Sequence, residues 1–191
     1  CLTLNVWTPA ESPPSSRLPV LFFIHGGGHV QGSASEQEGG GEFFYDGANL
    51  ATRGRAVVVT VQYRLGALGF VAIPALGPES PSGVAANFGL LDLVAALEWV
   101  SRNATSFGGD PARVLAFGES AGAVETCMLV ASPLGAGLFS AALMESGACV
   151  ASPRAEAKAV GSGFVTAAGC ASAADVPACL RGLSAAEVVL A

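Results

Sequence analysis

Phe107-Gly-Gly-Asp-Pro-Ala-Arg-Val-Leu-Ala-Phe-Gly-Glu-Ser-Ala-Gly122 is the stretch whose reading decides the fold. Its last five residues, Gly118 to Gly122, fit G-x-S-x-G, a sharp turn that lifts a serine Oγ clear of the backbone between a strand and a helix. Arg113 to Phe117 is a short apolar run after the turn signal Gly108-Gly-Asp-Pro111, which predicts a buried strand. Beyond Ser120, residues Val124, Cys127, Met128 and Ala131 recur at i, i+3, i+4 and i+7, one apolar face of a helix that stops before Pro133. A plain glycine–serine turn with Ser120 as helix N-cap would explain the pentapeptide alone. It does not explain strand, turn and helix in that order. Ser120 is therefore the candidate nucleophile, at a helix N-terminus whose unpaired N–H groups favour a developing negative charge.

Working outward, His25-Gly-Gly-Gly28 directly follows the apolar run Val20 to Ile24, which reads as another buried strand. Backbone N–H groups can hold an oxyanion without reorganising, and consecutive glycines let the chain approach a substrate closely. A glycine loop of this kind commonly supplies N–H donors alongside the N–H that follows a G-x-S-x-G serine. The only histidines are His25 and His29. A loop that holds the oxyanion lies across the substrate from where a general base must act, so neither is read as the base of Ser120. The glycines also break any helix that could align His25 and His29 on a zinc ion; no metal site is expected.

The 191 residues are 51% hydrophobic and 13% charged, enough apolar material for a substantial core. Nine basic against 15 acidic residues give a net charge of −6. With no lysine or arginine cluster, nucleic acid is excluded as an expected partner. No apolar run reaches the length of a membrane span. Ala56 to Val61 and Ala141 to Met144 read as further strands, and Leu90, Leu93, Val94, Leu97 and Val100 mark a helix that closes before Gly108. Glu11 to Ser16 and Gln31 to Gly41 read as surface loops. Strands alternating with helices predict an α/β fold with a mostly parallel sheet and helices on its faces. Residues 1–151 are expected to form the core and 152–191 the start of an alanine-rich helical region. The chain starts at Cys1, inside what reads as a strand, and is expected to be a segment of a longer protein.

With these residues in hand, the chain resembles the type-B carboxylesterase/cholinesterase family of α/β-hydrolases. The resemblance is carried by Cys1-Leu-Thr-Leu-Asn-Val-Trp-Thr-Pro9, by Val57 to Phe70 with its QYRLGALGF, by Asn87 to Asp92, by Phe107 to Pro111 and by the Ser120 turn. It implies an α/β-hydrolase fold, incomplete at both ends. Ser120 would be the nucleophile, with Gly27, Gly28 and the Ala121 N–H as oxyanion hole. Glu119 would border the active site, and Ser146 would support the triad acid, with a plain strand-end serine as the competing reading. The triad acid and histidine would lie beyond residue 191. The implied reaction is cofactor-free hydrolysis of a small-molecule carboxylic ester through an acyl-enzyme. The alternative is a non-catalytic adhesion member of the same family. An HGGG lipase of the hormone-sensitive type shares the turn and the loop but lacks the Cys1–Pro9 strand and the FGGDP turn. This chain departs from the family pattern at His29, where an aromatic often follows the glycines, at Leu93, where a glutamine is common, and at Ala116.

The resemblance also implies a disulfide between Cys170 and Cys179, and a partner for Cys1 upstream of this chain. Cys127, on the apolar helix face, reads as a buried thiol, and Cys149 is left without an assigned state. A disulfide points to an exported protein; two thiols in an intracellular relative remain the other reading.

Overall fold

The computed structural model describes residues 2–37, 43–80 and 85–191. Cys1, with its expected upstream partner, and the glycine run of the loop expected over Gln31 to Gly41 lie outside the described residues. The chain divides into two compact units, one of Cys1–Tyr63 with Leu90–Cys149, the other of Arg64–Gly89 with Val150–Ala191.

The first unit is built on a sheet in the order β1-β3-β2-β4-β5. Its strands are β1 (Leu4–Trp7), β2 (Leu18–Ile24), β3 (Val57–Val61), β4 (Gly109–Glu119) and β5 (Ala141–Glu145). β1 runs antiparallel to β3, and all other pairs are parallel. Helix α1 (Ala48–Gly54) lies between β2 and β3 in the chain, most of α3 (Phe88–Asn103) between β3 and β4, and α4 (Ala121–Ala131) between β4 and β5. Val20, Phe22 and Ile24 of β2 are wholly buried, and every residue of the valine-rich β3 is buried, as strands covered on both faces require. Each such side chain contributes about 1.5–3 kcal/mol of hydrophobic stabilisation. Thr60 is the one polar residue in β3. Its hydroxyl accepts from Asn5 Nδ2 at 3.0 Å, so burial does not leave it unsatisfied.

One expectation needs correcting at the start of β4. Gly108-Gly-Asp-Pro111 reads as a turn before the strand, yet Gly109 already pairs with Leu18 and the next aligned pair is Val20 with Val114. The polar residues are absorbed in a bulge inside the strand. Asp110 makes this possible, because Oδ1 accepts the Ala112 N–H at 3.0 Å and Oδ2 pairs with Arg17 at 2.9 Å. These two bonds, the backbone N–H first, hold its carboxyl below the usual carboxylate range.

A second correction concerns Cys127. It is buried in α4 as expected, but it forms a disulfide with Cys149, four residues past the end of β5, with Cα atoms 5.5 Å apart. The helix that follows Ser120 is thereby tied covalently to the chain beyond the neighbouring strand.

The second unit contains α2 (Gly66–Phe70), the first two residues of α3, α5 (Arg154–Ala167), α6 (Val176–Gly182) and α7 (Ala185–Leu190). Its core gathers around Ile73, Val165 and Cys170, with Leu76, Phe164 and Val176 packed against them. Cys170 and Cys179 form a disulfide that joins the end of α5 to α6. Asp175 caps α6 by accepting the Ala178 N–H at 2.9 Å, and Ser184 with Glu187 forms a capping box on α7.

Candidate active site

Ser120 sits between the last residue of β4 and the first of α4 with φ 55 and ψ −118, a conformation few non-glycine residues adopt. The turn is so tight that its two glycines admit no side chain. A Cβ on Gly118 would run into the Gly122 backbone, and one on Gly122 would overlap the Ile24 carbonyl oxygen. The serine is pinned from a third side by β5. Its N–H donates to the Glu145 carbonyl at 2.9 Å, and a Cβ on Gly147 would come 2.6 Å from the Ser120 carbonyl oxygen. That oxygen in turn accepts the N–H groups of Ala123 and Val124. The strained turn is over-determined by its surroundings, the condition under which such backbone persists.

The glycine loop lies directly against this turn. A Cβ on Gly26 would stand 2.9 Å from the Glu119 carbonyl oxygen and 3.2 Å from the Ser120 Cβ. Gly27, Gly28 and His29 then take positive φ in succession, at 107, 62 and 63. The N–H groups of Val30 and Gln31 both donate to the Gly27 carbonyl, at 3.1 Å each, closing the turn. Ala121 is buried at the first position of α4. The N–H groups of Gly27, Gly28 and Ala121 have no backbone partner among the described residues.

Glu119 is exposed beside Gly26, and Ser146 is exposed between Glu145 and Gly147, the two residues that touch Ser120. Ser146 also holds a left-handed conformation, φ 54. The structure therefore brings together Ser120, the glycine loop, Ala121, Glu119 and Ser146. Cys170 and Cys179 belong to the other unit.

Both histidines are committed elsewhere. His25 is 1% exposed, its Nδ1 lies 2.8 Å from the Gly26 carbonyl, and its ring stacks on Tyr63 at 4.5 Å. Burial pushes its pKa down, so the ring is held neutral. The Nδ1–H then donates to Gly26, which keeps it among the backbone atoms of the loop. Tyr63 OH donates to the His25 carbonyl at 2.7 Å, and burial pushes that phenol up. His29 Nε2 stands 3.0 Å from Glu125 Oε1.

Glu125 is the residue that sequence reasoning missed. Its side chain is only 6% exposed, in the helix that carries the nucleophile turn. The available signal was an acid five residues after Ser120, among small side chains on a helix otherwise read as apolar.

Comparison with known proteins gives this geometry a lineage. Residues 1–191 match the carboxylesterase family. The chain belongs to that family. Among its relatives are the fumonisin B1 esterase of Sphingopyxis macrogoltabida, 48% identical over 146 residues, which cover 76% of this chain and 26% of that protein. The precursor of a medium-chain fatty acyl-CoA hydrolase of Anas platyrhynchos is 43% identical over 98% of this chain and 32% of its own. A thermophilic PNB esterase of known structure superposes with a TM-score of 0.87 at 38% identity, covering 99% of this chain and 36% of that one. The chain thus spans about a quarter to a third of the length of the curated relatives it matches, and its fold is that of the α/β-hydrolases.

Proposed function

We propose that this chain carries the nucleophile and the oxyanion site of a serine-dependent carboxylic-ester hydrolase. The observation that carries the reading is Ser120, held at φ 55 between β4 and α4 with the Gly26–Gly28 loop against it. Ser120 Oγ attacks the ester carbonyl carbon while a base removes its proton. The carbonyl π electrons move onto oxygen, and the N–H groups of Gly27, Gly28 and Ala121 receive the charge. Collapse restores the carbonyl, breaks the bond to the alcohol oxygen and returns the proton to it. Water then repeats the sequence on the acyl-enzyme and releases the acid.

The base comes from protein outside these 191 residues, because His25 is buried against Gly26 and Tyr63 and His29 is engaged by Glu125. Glu119 borders the substrate, and Ser146 supports the acid that orients the base. No cofactor takes part. The substrate is a small-molecule ester, by analogy with relatives named as esterases of such compounds. Two disulfides fit a protein that matures in an oxidising compartment, so we propose export. Turnover of p-nitrophenyl butyrate tests the reading. The full reading frame should hydrolyse it, whereas residues 1–191 alone should do no better than the same segment with Ser120→Ala. Normal esterase turnover by the segment would overturn the assignment of the base.

A further inference from the structure

We propose that Glu125 and His29 form a clamp that positions the oxyanion loop on the nucleophile helix; this rests on the reading of Ser120, Gly27, Gly28 and Ala121 given above. The three N–H donors come from two different elements, a glycine loop and a helix N-terminus. They act together only if the two are held in register to within a few tenths of an ångström. Glycine backbone supplies no such rigidity of its own, since it has the greatest conformational freedom of any residue.

The near end of the loop is fixed by close packing, with Gly122 of α4 against the carbonyls of Ile24 and His25. The far end has His29, the first side chain after the glycines. His29 adopts φ 63, which costs a non-glycine residue free energy, and from that conformation Nε2 reaches Glu125 Oε1 at 3.0 Å. Glu125 lies inside α4, and burying a carboxylate is unfavourable unless a partner meets it. Its other oxygen, Oε2, is buried with no hydrogen-bond partner among the described residues, and the 3.0 Å approach of Oε1 to His29 Nε2 is a close polar contact that is not aligned as a hydrogen bond. The contact with the loop is what the acid provides. Glu125 and His29 act through Gly27 and Gly28, so they are positioning residues.

Loosening the clamp should weaken transition-state stabilisation more than substrate binding, because the oxyanion forms after binding. In the full-length protein, Glu125→Ala and His29→Asn should each lower kcat about 10- to 100-fold, below the loss for deleting a donor outright. KM should stay within about two-fold. Asparagine tolerates the left-handed backbone at position 29 but is too short to reach the acid, which keeps the test intact should Glu125→Ala fail to fold. The double variant should be no worse than the poorer single variant. Glu125→Gln keeps the length of the side chain and an oxygen that can approach the imidazole, and should keep kcat within about three-fold of the parent. Unchanged kcat in both single variants, additive losses in the double, or losses carried in KM would overturn the clamp. A parent protein that neither hydrolyses esters nor is labelled at Ser120 would instead overturn the catalytic reading on which the clamp depends.

Discussion

The two units of this chain are held together by different means. In the sheet unit, wholly buried side chains stand in line along β2 and β3, and Gly118 and Gly122 on either side of Ser120 are pressed against backbone. In the helical unit, the apolar core gathers around three residues, one of which is a disulfide cysteine. A core that small contributes little alone, and the cross-link between α5 and α6 restricts the unfolded chain instead. The comparison extends to single positions. Gly161, in α5, is as tightly placed as Gly122, since a Cβ there would overlap the Ala72 carbonyl. Two residues further on, Gly163 meets nothing within 4 Å and is exposed. Tight packing in the sheet unit surrounds the Ser120 turn, whereas in the helical unit tightly placed glycines such as Gly69, Gly89 and Gly161 stand apart from open positions such as Gly163. A scaffold that must hold hydrogen-bond donors for a transition state has reason to be rigid where the first unit is rigid.

Paired glycine substitutions give the largest expected contrast. Gly122→Ala should destabilise the protein by about 2–3 kcal/mol, seen as a lower urea midpoint at unchanged slope, because its Cβ has only backbone to displace. Gly163→Ala should stabilise the protein by up to about 1 kcal/mol, seen as a higher midpoint, since alanine is the better helix former and has room. A neutral Gly122→Ala would break the comparison at its strongest point.

A smaller contrast lies between two of the arginine–carboxylate pairs, Arg17–Asp110 and Arg181–Glu79. Asp110 is 5% exposed and bound by both the Ala112 N–H and Arg17, whereas the Glu79–Arg181 pair of the helical unit has both side chains about half exposed. Both carboxyls are held below their usual range, Asp110 chiefly by the backbone N–H and Glu79 chiefly by Arg181. A lowered carboxylate pKa stabilises the fold above the ordinary carboxylate value, and that contribution is lost as pH falls through the folded value. Asp110→Asn should therefore lower Tm at pH 7 and converge on the parent below about pH 4. Glu79→Gln should do the same to a smaller extent, as exposed pairs contribute little. Equal effects would mean that burial does not distinguish the two units at these pairs.

Much of the sheet unit was legible in the sequence because its signals are local. The Ser120 turn is written in Gly118 and Gly122, the loop in three consecutive glycines, and the strands in unbroken valine and phenylalanine runs. The start of β4 was misread because Asp110 supplies by side chain the hydrogen bonds that a turn supplies by backbone, so glycine, aspartate and proline could enter a strand. The Cys127–Cys149 bond was illegible because cysteine spacing does not determine pairing, and a cysteine on an apolar helix face packs equally well as a thiol. Glu125 escaped notice because an acid in a helix ordinarily reads as solvated, and its partner lies 96 residues earlier in a loop. The gathering of residues 64–89 with 150–191 depends on contacts such as Gly161 with Ala72, which no local pattern announces.

The central claim is that Ser120 is the nucleophile. Treating the full-length protein with a fluorophosphonate ester and mapping the adduct by peptide mass spectrometry tests it most directly. One phosphonyl group on the peptide containing Ser120, absent from Ser120→Ala, is the expected result. Stoichiometric label on another residue, or no label on an enzyme that turns over esters, would contradict it.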